Sequence, residues 1–561
     1  MLIDLDLVKS IDVTPGVHSV VGNSGALGGS IAFKTVDASD LLEDNQNFGG
    51  KMKLGYSENS KEWKESLMLY GRAFDSLDIL GYVSNADHDY AKSAERDKIG
   101  GKGKDQAFLI KAGLDFADYH NIKFGAEQTR YLGTYPSEPE YSVKKNVYEH
   151  TYTRKTYTAN YSFNPESDAV DLSLNLYHTD RHFVNDALDR ASGKTRDIGV
   201  KQTGAKLVNK SIFANNTLTY GGEYYINTSY DGYGVKEDDK VKSSSFFIED
   251  RIDFGALSLT PGLRYDYYTY KTGVAQDKFE EFSWDQLSPA FLANYDFNSN
   301  FSAYASWAKL FQGPRPAEAV AINSRPYLSV NSEGIKPTTG NAYEVGARFK
   351  TNFGENQSFR FDAKYFYNDY KNLITEVYRD GLERVNAGRA SVQGVELSAK
   401  YGIENLTLTL GYSRARTDYK DDTANMMAGN YGGRTYQLNA YHNILAYSDM
   451  GDKYTFGAEY FIAPIDLLIG YNMIAFNKIT TQNSQKLTTF KKPGYATHDI
   501  YASWSPDSGA LKGLEITAGI YNLFNKYYWS HSLRNAGNTS SNFDPDWEPG
   551  RSFRASISYK F

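Results

Sequence analysis

Few residues in this chain could do chemistry. It has nine histidines and no cysteine, which excludes thiolate metal sites, cysteine nucleophiles and a disulfide framework. No G-x-S-x-G, no H-E-x-x-H and no compact Ser, His and Asp set occurs, so catalysis has no recognisable machinery. Gly22, Gly25, Gly28 and Gly29 could let backbone approach a phosphate, but the Lys-Ser/Thr pair and the helix pattern of a phosphate loop do not follow them. The acidic runs KEDDK at 236–240 and YKDDTAN at 419–425 lack the regular ligand spacing of a calcium loop and are expected to be solvated loop tips. What remains is the stretch WAKLFQGPRPAEAVAINSRPYLSVNSEGIKPTTGNAYEVG, residues 307–346. Its chemistry is that of binding. Arg315 could pair an anion, or Arg315 and Lys336 could be solvated charges on a loop stiffened by its prolines. Tyr327 offers a phenol.

These residues must be held by strands. DAVDLSLNLYH sets Val170, Leu172, Leu174 and Leu176 against Asp171, Ser173 and Asn175, and LTLTLGYSRAR sets Leu406, Leu408, Leu410 and Tyr412 against Thr407, Thr409 and Ser413. LEITAGIY repeats the pattern with Leu514, Ile516, Ala518 and Ile520, and the last strand repeats it with Phe553, Ala555, Ile557, Tyr559 and Phe561. Period two puts one set on each face of a strand. No sustained helical periodicity follows residue 50. Short connections near 75–76, 117–120, 164–167, 214–216, 255–256, 297–299, 354–356, 402–404, 447–452 and 506–512 interleave with longer ones, which predicts 22 strands. FIAPIDLLIGYNMIAF reads as one very long strand or as two.

Composition chooses the solvent. Aromatics make up 15% of the chain, with 46 Tyr and 31 Phe, which suits surfaces where a ring meets lipid and a hydroxyl meets water. No run approaches the roughly 18 apolar residues of a membrane-spanning helix, and mean hydropathy is polar, but barrel spans hide in alternation. A soluble propeller or sandwich would show repeats of fixed period, and none is found. The net charge of −7 is small for 561 residues and argues against a nucleic-acid surface. The predicted fold is all-β: a 22-stranded antiparallel transmembrane β-barrel over residues 49–561, with a partial N-terminal plug over residues 1–48.

GNSGALGGSIAFKTVDASDLL at 22–42 resembles the end of the plug in TonB-dependent outer-membrane receptors, and more narrowly the branch that takes iron from haem or haem proteins. NLFNKYY at 522–528 and GRSFRASISYKF at the C-terminus resemble the last two strands of that superfamily. The resemblance implies a monomeric receptor in the cell outer membrane, embedded in lipid. It would import haem, iron from haemoglobin or, alternatively, a ferric siderophore, with the inner-membrane TonB complex supplying the pull. A passive pore or adhesin is the reading from another class. No intrinsic cofactor is implied, since haem or ferric chelate is cargo.

Because MLIDLDLVKSIDV has no secretory-signal pattern and family plugs are longer, the chain is expected to be a fragment lacking the TonB-coupling box. In the haem branch a Phe-Arg-Ala-Pro box, a haem-ligating His and an Asn-Pro-Asn-Leu box follow one another on a long loop. Here FQGPRPAE at 311–318 and SEGIKPTTGNAYEVG at 332–346 stand in the places of the boxes, with no histidine between them. By this resemblance Phe311, Gln312, Arg315 and Tyr327 are loop contacts. Arg315 would pair a haem propionate or an anionic siderophore, and His18 would face the loop from the plug. His18 and Tyr327 are the candidate haem-iron ligands. His88, His150, His178, His182, His442 and His531 fall in or next to the long loops and are expected to be solvated.

Overall fold

The computed structural model describes residues 4–16, 19–22, 27–136, 147–185, 196–231, 239–271, 281–315, 328–330, 335–378, 382–386, 388–420, 428–431, 434–437, 450–482, 489–531 and 547–561. Twenty-two antiparallel strands close into one barrel. The first, Phe48–Ser57, pairs with the last, Ser552–Lys560, in the register Lys51↔Lys560, Leu54↔Ile557 and Ser57↔Arg554. Gly50 and Phe561 exchange both backbone bonds, at 3.0 and 2.9 Å. The terminal aromatic strand is therefore the seam that removes the sheet edge.

Alternation decides which side chains meet which solvent. In Leu257–Lys271 the residues Leu263, Tyr265 and Tyr267 are exposed outward, while Arg264, Asp266, Tyr268 and Tyr270 are buried inward. The same split runs through the seam, where Phe553, Ile557 and Tyr559 are exposed and Ser552 and Ser558 are buried. No helix among the described residues is long and apolar enough to cross a membrane. The crossing is made by strands, which need only about 9–11 residues each. Several are much longer: His120–Pro136 has 17 residues and Val147–Ser167 has 21. On that side the wall rises well beyond a hydrocarbon core.

Nine of the ten expected short turns lie at or next to the observed ones, such as residues 255–256 between Asp239–Phe254 and Leu257–Lys271. The turn expected at 164–167 is displaced to residues 168–169, because Val147–Ser167 runs on through it. The turn expected at 447–452 is wrong. The turn is the one-turn 3-10 helix Ala463–Ile465, with Pro464 at its start and Asp466 in the left-handed region, so FIAPIDLLIGYNMIAF is two strands. A proline carries no amide proton for the ladder, which ends the pairing there.

Gly513, at φ +88°, opens the penultimate strand Leu514–Tyr521. A Cβ on it would lie 2.1 Å from the Lys560 carbonyl, and Lys560 N donates to Gly513 O at 2.8 Å. Gly513→Ala therefore strains the backbone and pushes on the last strand, a cost of about 1–3 kcal/mol. We expect a lower yield of heat-modifiable barrel on refolding into detergent; an unchanged yield would show that the seam tolerates the displacement.

The described residues before Phe48 include several that lie against inward-facing side chains. They contribute the hairpin Val8–Pro15 with Gly29–Thr35 and two single-turn 3-10 helices. Leu7 and Ala38 share a buried cluster with the inward Met68, Tyr70, Leu80, Tyr82, Ala107 and Leu109.

Candidate ligand-binding site

The stretch that opens the 307–346 loop is pinned to the inner wall. Phe301–Gln312 is a wall strand with Ser306, Ala308 and Leu310 buried at alternate positions. As the chain leaves that strand, Phe311 packs edge-on against Tyr268 with centroids 6.2 Å apart, and the Tyr268 hydroxyl donates to the Pro314 carbonyl. A Cβ on Gly313 would lie 2.3 Å from the Tyr268 ring. Only glycine lets the backbone pass under that ring. Val241 and Tyr270 complete the buried cluster, with Tyr225, Phe282 and Trp284 packed around it. Beside it is a cavity of about 350 Å³, walled by Tyr225, Tyr268, Phe311, Gln312, Arg315 and Asp266 among others. That volume is in the range of small-molecule sites, roughly 300–1,000 Å³.

Beneath the cavity a fully buried guanidinium organises two carboxylates. Arg264 Nε donates to Asp266 Oδ1 at 2.9 Å, and Nη2 donates to Glu223 Oε2 at 3.3 Å. Its Nη1 reaches the Val20 carbonyl at 3.4 Å, and its face lies 5.7 Å from the Phe247 ring. Ser245 donates to Asp266 at 2.6 Å. The N-terminal segment meets the wall here: Val20 N donates to Glu249 Oε2 at 3.0 Å, and Lys206 Nζ donates to the Val21 carbonyl at 2.6 Å. One network therefore touches the cavity and the lumenal segment together.

Elsewhere that segment is held by ion pairs. Asp4 accepts from Lys64 at 2.6 Å, Ser84 at 2.6 Å and Tyr82 at 2.8 Å. Asp6 pairs with Lys53 at 2.6 Å and Lys64 at 2.8 Å, while Asp37 pairs with Lys123 at 2.7 Å and with Lys111. Burial alone would raise the pKa of each of these carboxyls, but the lysine partners outweigh it and hold all three below the ordinary carboxylate value. A depressed folded-state pKa gives stability that is fully present above the unfolded value, about 3.9 for Asp, and is lost only as pH falls through the lower folded value. The attachment is therefore expected to be constant from neutral pH down to about 4. Asp4→Asn with Asp37→Asn should expose the segment to limited proteolysis at neutral pH, where the parent chain is protected; equal protection in both would remove the ion pairs as its anchor.

Of the five residues expected to bind, Phe311, Gln312 and Arg315 line this cavity. His18 and Tyr327 lie outside the described residues. Arg264, Asp266, Glu223, Tyr225 and Tyr268 were not anticipated: each is an inward residue of an ordinary alternating strand, with no local mark. The histidines expected to be solvated divide. His178 and His182 sit on strand Val170–Asn185, beside Thr203 at 2.7 Å and Asp197. His150 and His531 are buried. His531 is a clasp rather than a loop tip: its ring nitrogens lie 2.7 Å from the carbonyls of Met450 and Pro493, and its ring packs on Phe476 and Tyr495. The run KEDDK is corrected in part, because Asp239 is buried and accepts from the Tyr270 hydroxyl at 3.3 Å. His442 and residues 421–427 lie outside the described residues.

A closed 22-stranded wall, a lumenal segment bonded to it and a cavity on its inner side define a large outer-membrane receptor barrel. The chain belongs to the TonB dependent receptor-like, beta-barrel family, whose model matches residues 72–523. That places it in the outer membrane, in a family of transporters and receptors that work with TonB. Over its whole length it is 23% identical to the "Heme transporter BhuA" of Brucella ovis, covering 81% of that protein. Among solved structures it resembles the FrpB iron transporter from Neisseria meningitidis, F3-3 variant, with a TM-score of 0.85 and 22% identity, covering 100% of this chain and 88% of that one. It also resembles the hemophore receptor HasR of Serratia marcescens, solved as a double mutant with its hemophore HasA and heme. There the TM-score is 0.78 and the identity 19%, with 100% of this chain and 88% of that one covered.

Proposed function

We propose that this receptor imports iron as haem, taken from free haem or from a haem protein, and that residues before Phe48 act as part of a plug moved inward by TonB. The observation that carries this reading is the cavity lined by Tyr225, Tyr268, Phe311 and Arg315, in a chain aligned over its whole length with a haem transporter. Tyr225, Tyr268 and Phe311 offer ring faces and edges to a porphyrin plane. Arg315, exposed at the cavity's edge, is the partner for a propionate. Its planar fork suits a carboxylate. His18 and Tyr327 remain the proposed axial ligands. The receptor works as a lipid-embedded monomer. Transport is non-covalent: the loops capture, the cavity holds, and movement of the lumenal segment releases the cargo inward.

A second reading, iron without the porphyrin, is favoured by the absence of a histidine between the two loop boxes. Its structural relative FrpB is described as an iron transporter. Hemin titration of the chain refolded in detergent separates the two. A saturable Soret shift absent from empty micelles is expected. Binding of ferric siderophores without any Soret shift would replace the haem assignment.

A further inference from the structure

A second set of donor side chains gathers on another stretch of wall. His88 ends the strand Leu77–His88, Asp105 lies on Lys102–Phe116, and Tyr135 lies on the tall strand His120–Pro136. The pairings Asp87↔Lys104 and Lys104↔Leu132 bring these strand ends side by side. His88 Nε2 is 3.5 Å from the Tyr135 hydroxyl and 3.8 Å from Asp105 Oδ2. Its other nitrogen, Nδ1, lies 3.4 Å from the Asp89 carbonyl. A neutral imidazole has one N–H. With that proton on Nδ1 toward the carbonyl, Nε2 turns a lone pair toward the carboxylate.

A proton or a metal ion placed among Nε2, the carboxylate and the Tyr135 hydroxyl would satisfy all three groups. Asp105 Oδ1 is itself buried with no hydrogen-bond partner among the described residues. At 3.8 Å, His88 and Asp105 are too far apart for a hydrogen bond. Donors bound side by side to one metal at about 2.0–2.2 Å stand roughly 3 Å apart. A small turn of the side chains would close the observed gaps to that value.

The surroundings fix these groups. Tyr131 stacks on His88 with centroids 6.0 Å apart and an interplanar angle of 22°, and His150 flanks Tyr135 at 5.8 Å. A Cβ on Gly101 would fall 1.5 Å from the Tyr135 ring, so the backbone there is pressed against the phenol. Among the described residues no three His, Cys, Asp or Glu side chains form a metal cluster; the third donor here is a tyrosine.

We infer that His88, Asp105 and Tyr135 form a binding site for ferric iron on the barrel wall, separate from the Phe311 cavity. Imidazole nitrogen, carboxylate oxygen and phenolate oxygen, in a chain without cysteine, are a donor set for iron rather than for copper(I) or a structural zinc. The open positions take water or the oxygens of a small chelator. Binding ionises the Tyr135 hydroxyl and releases its proton, so apparent affinity rises with pH. This site takes iron that is not held in a porphyrin and stands whether or not the cavity binds haem.

The test is titration of the refolded full chain with ferric nitrilotriacetate, read by the visible phenolate-to-iron charge-transfer band. The parent chain should develop the band at a stoichiometry of about one and more readily at higher pH. Tyr135→Phe should lose it, and Asp105→Asn and His88→Ala should each weaken binding at least tenfold while keeping it. Hemin binding by Tyr135→Phe should equal that of the parent. No band in the parent, or a band that survives Tyr135→Phe, overturns the site. Heat-modifiable migration reports barrel integrity, and if Tyr135→Phe fails to close, the Asp105→Asn and His88→Ala affinities decide the matter.

Discussion

Replacing Arg264 with methionine is expected to cost about 3–5 kcal/mol, the usual consequence of removing one partner from a buried ionic network. The side chain is 2% exposed and answers two carboxylates, Asp266 and Glu223, and the Val20 carbonyl. Methionine fills similar space but leaves both carboxylates facing the lumen without the guanidinium. The temperature at which the barrel loses its compact migration should drop, and the Val20 region should become accessible to protease. Arg264→Lys keeps the charge but not the fork that serves both acids, so it should fall between the two. Adding Asp266→Asn to Arg264→Met should recover much of the loss, because one uncompensated charge disappears. A melting transition identical in Arg264→Met and the parent would mean that the network is hydrated and adds nothing.

Phe311→Ala is expected to weaken hemin binding about tenfold, equivalent to about 1.4 kcal/mol. The ring is 8% exposed, lies edge-on to Tyr268 and forms part of the cavity wall. Ring contacts of this kind contribute about 0.5–1.5 kcal/mol beyond area burial, and the vacated space also loses shape. The change lies in the lumen, away from the seam and from the ion pairs at Asp4 and Asp37, so barrel closure should be unaffected. Arg315→Ala should instead weaken hemin more than a porphyrin whose propionates are esterified. If both variants bind hemin like the parent, the Phe311 cavity is not the haem site. Retained binding would then point to His18, Tyr327 or another part of the loops.

The histidines show where reading residue by residue loses its grip. Proximity to long loops suggested solvation for His531, yet Lys492 donates to its carbonyl at 3.0 Å and two other carbonyls meet its ring. Those partners come from connections that are far apart in the chain and adjacent only around the rim. His88 was likewise one loop-edge residue among several until Asp105 and Tyr135 met it across paired strands. Phe311, Gln312 and Arg315 were singled out because they stand in the place of a family box, and the fold sets all three on one cavity. Arg264, Asp266 and Glu223 have no such marker and look like any polar inward residue.

The misplaced turn has a similar cause. Before Gly451 and across residues 463–466 the chain offers two breaks in alternation, and composition alone does not say which one reverses the strand. Pro464 and the left-handed Asp466 decide it in the folded chain.

Strand number, the direction of each face and the solvent outside were determined by the sequence alone, because side-chain alternation is a property of two consecutive residues and needs no partner. Val170 to Leu176, Leu406 to Leu410 and Phe553 to Phe561 reveal their lipid side from spacing. Which inward residues meet was decided only by closure of the barrel. Register and curvature bring Arg264 to Val20 across 244 residues, and Asp4 to Ser84 across 80. Such contacts depend on the stagger summed around 22 strands, a quantity that no single strand carries.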